Sequence, residues 1–184
     1  MIRVSYKDLE KEGRNVEPGQ LTNTDFSDVM WIDLTEPTKD EQKEVEELIG
    51  TKFQTRQQAQ EIESTSKYSE TPEDIYINTS YYIDKGKTYE TEPISFIIPK
   101  NGPLVSYHQQ VLPALGDVGR RIKIRPEENH TSYGIFMTIL ETIIDYDADM
   151  EELLTREITR LSKVITSSSN IDKAILHRIN ELQE

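Results

Sequence analysis

Alternating apolar and polar residues predict a β-rich first part of the chain. Residues 1–6 and 29–34 are apolar runs of strand length, and residues 74–84 alternate apolar and polar positions over a longer stretch. Two further runs, residues 94–99 and 104–108, flank an Asn101-Gly102 pair, which is a strong hairpin signal. The pattern therefore predicts five strands, with the last two paired antiparallel.

A capping box predicts where the first helix begins. Thr38 can cap the helix and Glu41 follows three residues later, as a capping box requires. Apolar residues then recur at helical spacing on one face, and Gly50 is a suitable terminator. After this helix, residues 55–63 predict a second short helix and residues 64–73 a polar loop.

Helical periodicity takes over in the last third of the chain. Residues 110–123 carry apolar side chains in phase, and from residue 131 to 166 apolar residues recur every three or four positions. A polar link leads to a last helix over residues 171–184, which has no terminating signal, so we expect the protein to continue beyond it. This order predicts an α/β domain, residues 1–130, followed by a helical arm, residues 131–184.

Charge narrows the range of partners. The 184 residues include 34 acidic and 21 basic side chains, for a formal net charge of −13. Such a surface repels phosphate backbones and attracts divalent cations, so nucleic acid is not an expected partner. The chain has no cysteine, which excludes disulfides and thiolate metal sites. It also has no signal-peptide core and no apolar stretch of about 20 residues, so as given it is expected to be soluble.

Motifs for nucleophilic or nucleotide chemistry are absent. The sequence has no Gly-x-Ser-x-Gly, no Walker-type Gly-Lys-Ser/Thr and no Gly-x-Gly-x-x-Gly. Ser106 and His108 share one face of a predicted strand, but the sequence places neither an acid nor an oxyanion hole beside them. We therefore expect that the chain is not an enzyme.

Three alternating aspartates in the predicted long helix invite a test for a calcium loop. Asp145 opens an Asp-x-Asp-x-Asp run, but Met150 stands where the loop needs glycine and Arg156 where it needs a bidentate glutamate. On a helix, Asp145, Asp149 and Glu152 instead share one face, while Asp147 lies near the edge of the apolar stripe.

Two interpretations of this acidic face remain open. It could be a solvated face, with Glu152 and Arg156 paired one turn apart. It could also collect a hard cation, because Glu141, Asp145, Asp149 and Glu152 form a column with no basic residue before Arg156. A single helix face cannot supply the about six oxygen ligands that such an ion takes, so a second surface would have to contribute.

Several segments, in the right order along most of the chain, resemble one known family. WIDLTEPTKDE, residues 31–41, is similar to the opening strand and helix start of the cytoplasmic domain of CorA-type magnesium transporters. SKYSETPEDIYI, residues 66–77, resembles the acidic passage that leads into a strand of that domain. ISFIIPKNGPLVSYH resembles its strand pair, and ILETIIDYDADMEELLTREITRLSKVI resembles its long acidic helix.

The resemblance implies an architecture and a function. The fold would be an α/β/α sandwich with a mixed central sheet, followed by long antiparallel helices. The full protein would be a homopentamer at the cell membrane, with this part on the cytoplasmic face and the membrane helices and Gly-Met-Asn pore motif in a missing C-terminal region. Cytoplasmic acidic residues at subunit boundaries of the family bind regulatory Mg²⁺.

Candidate metal ligands follow by position. Asp145 is the best match to the sensor aspartate on the long helix, and Glu73 with Asp74 matches the sensor pair on the sheet domain. Asp149 shares the face of Asp145 and completes the candidate set. For Glu73 and Asp74 the alternative is a plain turn at the start of a strand.

Two other functional classes compete with a regulatory ion-channel domain. A metal-dependent hydrolase could use the same carboxylates, and a pocket in which they converge with a histidine would favour it. A scaffold whose helical arm forms a bundle would need no ion. The sequence beyond Glu184 discriminates among them, because an apolar span containing Gly-Met-Asn would indicate the channel.

Overall fold

A computed structural model describes residues 1–8, 14–16, 20–21, 26–53, 67–86, 89–167 and 178. It contains three α-helices in this part of the chain: α1 Lys39–Ile49, α2 Pro113–Ile124 and α3 Ser132–Ser167. The strands in chain order are β1 Ile2–Tyr6, β2 Arg14–Val16, β3 Val29–Thr35, β4 Tyr68–Glu70, β5 Asp74–Asp84, β6 Tyr89–Pro99 and β7 Leu104–His108. The predicted helices over residues 55–63 and 171–184 lie outside the described residues, apart from Arg178.

The strands form one mixed sheet in the order β2-β1-β3-β7-β6-β5-β4. β3 and β7 run parallel, with Asp33 opposite Ser106, and the other neighbours are antiparallel. The predicted hairpin is confirmed, because β6 and β7 pair antiparallel on either side of Asn101-Gly102. The β3–β7 contact joins residues more than 70 positions apart and makes β3, with all seven residues buried, an interior strand beside the central strand β7.

Helices cover both faces of the sheet, as the α/β/α prediction requires. Alternate residues of β3, β6 and β7 point to opposite sides, since successive strand side chains alternate in direction. On one side they pack against α2 and α3, where Phe96 meets Phe136 edge to face with ring centroids 5.2 Å apart. On the other side Val45 of α1 closes a second core with residues of β1 and β3.

Local signals define α1 as predicted. The Thr38 hydroxyl accepts from the backbone amide of Glu41 at 3.2 Å, and the Glu41 carboxylate accepts from the Thr38 amide at 2.7 Å. At the other end Gly50 has φ +69°, a left-handed conformation that favours glycine. Residues close in sequence therefore define both ends of α1.

The long helix α3 belongs to the core at one end and extends from it at the other. It has 36 residues and is about 54 Å long at about 1.5 Å per residue. Ile135, Ile139 and Ile143 are buried against the sheet, whereas most residues after residue 146 are exposed. Near the far end, the Arg178 guanidinium donates to both carboxylate oxygens of Glu157 at 2.9 and 3.1 Å.

Two sequence expectations are corrected. Residues 68–70, predicted as loop, form the edge strand β4, whose side chains are all exposed. Its residues show no alternation of apolar and polar positions that would predict a strand, and only its pairing with β5 identifies it as one. α2 begins at Pro113 and not at residue 110, because proline has the backbone angle of a first helical turn and needs no amide donor there.

Candidate functional site

Asp145, the first candidate ligand, is paired with a cation from another helix. Arg121 of α2 donates through Nη2 to Asp145 Oδ2 at 2.6 Å. The pair lies at the surface, with 58% of the Asp145 side chain and 38% of the Arg121 side chain exposed. The sequence indicated a carboxylate column without a basic partner before Arg156. The column itself has no basic residue before Arg156, and the partner of Asp145 comes instead from another helix, 24 positions earlier in the sequence.

Two further polar contacts flank this ion pair, and we call the three together the α2–α3 seam. On one side the Tyr146 hydroxyl donates to Asp117 Oδ2 at 2.6 Å. On the other side Arg125, just after α2, lies 3.8 Å from Glu141 Oε2. The hydrogen bond from Tyr146, followed by the contact with Arg120, lowers the pKa of the Asp117 carboxyl. The seam thus aligns two ion pairs and one hydrogen bond along α2 and α3, which run antiparallel.

The outer part of the acidic face remains solvated. Asp149 is exposed, as are Glu151 and Glu152. Glu152 accepts from Arg156 one turn further on, as the helical spacing predicts. Asp149 therefore presents its carboxylate to solvent in the same column as Asp145, one turn away.

Asp147, which was not among the candidates, has the least ordinary environment of the three aspartates. It turns toward β5, where the backbone amide of Tyr82 donates to its carboxylate. Its Oδ1 is buried and has no hydrogen-bond partner in the part of the chain that the structure describes. Burial raises the pKa of Asp147 above the usual value, more than the Tyr82 amide lowers it. In the sequence, the position of Asp147 at the edge of the apolar stripe was the feature that could have indicated this burial.

Glu73 and Asp74 lie in a turn that starts β5. The Thr71 hydroxyl accepts from the backbone amides of both residues, at 3.4 and 3.0 Å, which is the plain turn considered as the alternative. The Asp74 carboxylate accepts from the Thr51 hydroxyl at 2.7 Å, just after α1. The pair is therefore ordered by local contacts and lies on the α1 side of the sheet, next to Tyr76.

One chain does not bring the candidates together. Asp145 lies on a helix that covers the opposite face from Asp74, and about 20 Å along that helix from its first residue. Among the described residues, no three His, Asp or Glu side chains form a group that could hold a metal. The exposed carboxylates of Asp145 and Asp149 have the oxygen chemistry that Mg²⁺ prefers, but they are too few to complete its shell.

A buried network occupies the position of the rejected serine–histidine pair. The structure supplies the missing acid: Asp33 Oδ1 accepts from the Ser106 hydroxyl and lies 3.0 Å from His108 Nε2. Trp31 Nε1 donates to Ser106 Oγ at 2.9 Å, so the serine proton points to Asp33 and not to His108. With all these side chains buried, the arrangement ties β3 to β7 and is not that of an activated nucleophile.

Both ring nitrogens of His108 face hydrogen-bond acceptors in this network. Its Nδ1 faces the Gln110 carbonyl at 2.6 Å and its Nε2 faces the Asp33 carboxylate. Both partners are acceptors, so the geometry favours a proton on each ring nitrogen. Burial by itself would lower the pKa of His108, but the contacts with Asp33, the Gln110 carbonyl and Glu92 outweigh it and raise the pKa.

Comparisons with known proteins agree on one family. A sequence model described as "CorA-like Mg2+ transporter protein" matches residues 26–184. "Magnesium transport protein CorA" of Pasteurella multocida is 23% identical over 169 residues, covering 90% of this chain and 53% of that protein. The protein of the same name from Haemophilus influenzae is 25% identical over 162 residues, covering 88% and 51%. The chain thus spans about half the length of the curated relatives it matches.

Solved structures support the same fold. The complete CorA magnesium transporter of Methanocaldococcus jannaschii superposes with a TM-score of 0.69 and 16% identity, covering 98% of this chain and 55% of that one. The soluble domain of the same transporter gives a TM-score of 0.68, also at 16% identity, and covers 100% and 70%. None of the helices in the described part of this chain is long and apolar enough to cross a membrane.

Proposed function

The chain belongs to the family of CorA-like Mg²⁺ transporter proteins, and from that premise we propose that it is the cytoplasmic regulatory part of a magnesium (divalent-cation) channel. The complete protein would be a membrane-bound homopentamer. Residues 1–130 would form its α/β unit, and residues 131–184 an arm leading toward the stalk, with the first half of α3 packed on that unit. In this proposal Mg²⁺ is both the transported ion and a regulatory ligand of the acidic residues.

The observation that carries the regulatory role is the exposed carboxylate column on α3. Asp145 and Asp149 lie one turn apart on the same face and are both open to solvent. Asp is a poor helix former and like charges four residues apart repel; Arg121 offsets this repulsion at Asp145, so the cost to the helix falls mainly on Asp149. A binding role at a boundary between subunits would explain such a cost.

A second subunit would have to complete the ligand set. Glu73 and Asp74 are held in a defined turn on the other side of the sheet from α3, so they cannot join Asp145 within one chain. The turn presents two carboxylates from a sheet end, which a neighbouring copy could bring to α3. Magnesium keeps several waters, so such contacts need not all be direct.

The physical basis of sensing is electrostatic. Carboxylates brought together across a boundary repel, and a divalent cation between them removes the repulsion. Loss of the cation then shifts the population toward a looser arrangement of subunits. The size of the response is limited by the difference in cation affinity between the two arrangements.

Thermal denaturation of the 184-residue chain against magnesium concentration tests the proposal. A ligand at ten times its dissociation constant stabilises by about 1.4 kcal/mol, which raises Tm by about 3–6 °C for a domain of this size. Asp145→Asn is expected to remove most of this shift. Glu47→Gln, which removes an equally negative and exposed side chain on α1, is the matched control and should keep the shift.

Sedimentation in the same buffers separates the alternatives. Magnesium-dependent association that Asp145→Asn weakens would support the regulatory role. Association that is unaffected by both magnesium and Asp145→Asn would favour the scaffold function. If neither Tm nor association responded to magnesium up to about ten millimolar, the sensor role would be refuted for these residues.

A further inference from the structure

We propose that Arg121 is an internal competitor for the cation at Asp145, so that an ion that binds Oδ2 of this carboxylate displaces a guanidinium. The inference rests on the proposed function, because it takes Asp145 as a cation ligand. It concerns how that ligand is regulated within one chain. The observation behind it is the 2.6 Å contact between Arg121 Nη2 and Asp145 Oδ2.

The exposure of the pair makes displacement feasible. More than half of the Asp145 side chain is open to solvent, so a hydrated ion can reach the carboxylate without unfolding. Exposed ion pairs are weak, since water screens the charges and ordering two side chains costs entropy. A divalent cation carries twice the charge of the guanidinium, so it can compete for the same oxygens.

Displacement of Arg121 would also alter the packing of α2 on α3, because the Arg121–Asp145 pair is the middle contact of the α2–α3 seam. Asp117–Tyr146 and Arg125–Glu141 lie on either side of it and need not break. A bound ion would therefore break one of the three contacts between α2 and α3, and Asp145 of α3 would bind the ion in place of Arg121. In this way the occupancy of Asp145 becomes linked to the contact between two helices of the same subunit.

A purely structural ion pair makes a different prediction. In that case Arg121→Gln would lower stability slightly and leave magnesium affinity as it was. Under the competition proposal, Arg121→Gln frees Asp145 and removes a positive charge beside it. We expect the magnesium dissociation constant to fall about two- to fivefold, which corresponds to about 0.4–1 kcal/mol, the range of an exposed ion pair.

Isothermal titration of the 184-residue chain with magnesium chloride tests this directly. Arg125→Gln is the matched control, because it removes the same charge from the neighbouring seam contact at 3.8 Å from Glu141. It should change the dissociation constant by less than twofold. Asp145→Asn should weaken binding in every background, and Arg121→Gln should have no further effect once Asp145 is replaced.

The outcomes are distinguishable. If Arg121→Gln and Arg125→Gln change the affinity equally, or neither does, while Asp145→Asn weakens binding, the competition is refuted and the proposed function stands. If Asp145→Asn leaves the magnesium affinity unchanged, Asp145 is not a ligand, and both the competition by Arg121 and the proposed regulatory role of Asp145 are refuted.

A measurement on the unaltered chain keeps the test decisive if a variant fails to fold. Magnesium should shift the side-chain NMR signal of Arg121 while leaving that of Arg156 in place, and a constant Arg121 signal at saturating magnesium would overturn the inference.

Discussion

Replacing His108 with glutamine should destabilise the fold in a pH-dependent manner. In the native structure the imidazolium donates from Nδ1 to the Gln110 carbonyl at 2.6 Å and from Nε2 to Asp33 at 3.0 Å. Glutamine carries no charge, and its single amide group cannot reproduce two donors at opposite ends of a ring. The buried Asp33 carboxylate would then keep the Ser106 hydroxyl but lose its counter-ion.

The size of the effect follows from burial. His108 is 1% exposed and Asp33 7% exposed, so solvent cannot replace the lost partner. Removing one member of a buried ion pair costs about 3–5 kcal/mol, and we expect the lower end because glutamine keeps one donor. A domain of this kind has a total stability of roughly 5–15 kcal/mol, so the variant should remain folded but be clearly weakened.

The pH dependence has a defined sign. The folded pKa of His108 is raised above its unfolded value of about 6.5. The stabilisation is therefore fully present below pH 6.5 and is lost as the pH rises through the folded pKa. The difference in unfolding free energy between the native chain and His108→Gln should be largest near pH 6 and shrink under alkaline conditions.

Urea denaturation followed by tryptophan fluorescence measures this difference. Trp31 is the one tryptophan in the sequence, and it donates to Ser106 within the same network. Comparing two chains at each pH cancels the titration of shared groups. His130→Gln, at an exposed position, should track the native protein. A gap that stays constant from pH 6 to pH 10 would show that folding does not raise the pKa of His108 and would refute the reasoning.

Three further substitutions test individual contacts. Asp147→Asn should raise the unfolding free energy by about 1 kcal/mol at pH 7, and the gain should vanish in acid, because the amide avoids the cost of a buried charge. The exposed Asp149→Asn is its control in the same urea titrations, and equal gains in both would contradict the burial argument. Thr38→Ala should cost about 1 kcal/mol by removing the cap of α1, and no loss in thermal denaturation would show that the cap is redundant. Tyr146→Phe should raise the pKa of Asp117, since the tyrosine hydroxyl is its main support, and an unchanged carboxyl titration by NMR would argue against the seam.

Elements with local causes could be predicted from the sequence. Thr38, Glu41 and Gly50 define both ends of α1 through contacts within a few residues. The spacing of apolar residues placed α3 within one residue at each end, because a helix buries one stripe whatever it packs against. The Asn101-Gly102 turn likewise identified the β6–β7 hairpin. The candidate site residues remain predictions, since one chain does not bring Asp145, Asp149, Glu73 and Asp74 together.

The sequence by itself therefore determined α1, α3, most of the described strands and the acidic column, because their signals lie within a turn or a strand of one another. Tertiary structure alone decided which aspartate is paired and which is buried. Asp145 meets Arg121 from 24 residues away, and Asp147 is desolvated against β5. Asp33 and His108, 75 residues apart, become an ion pair only when β3 and β7 align. Charge interactions and desolvation depend on distance in space, and a pattern along the chain does not contain that distance.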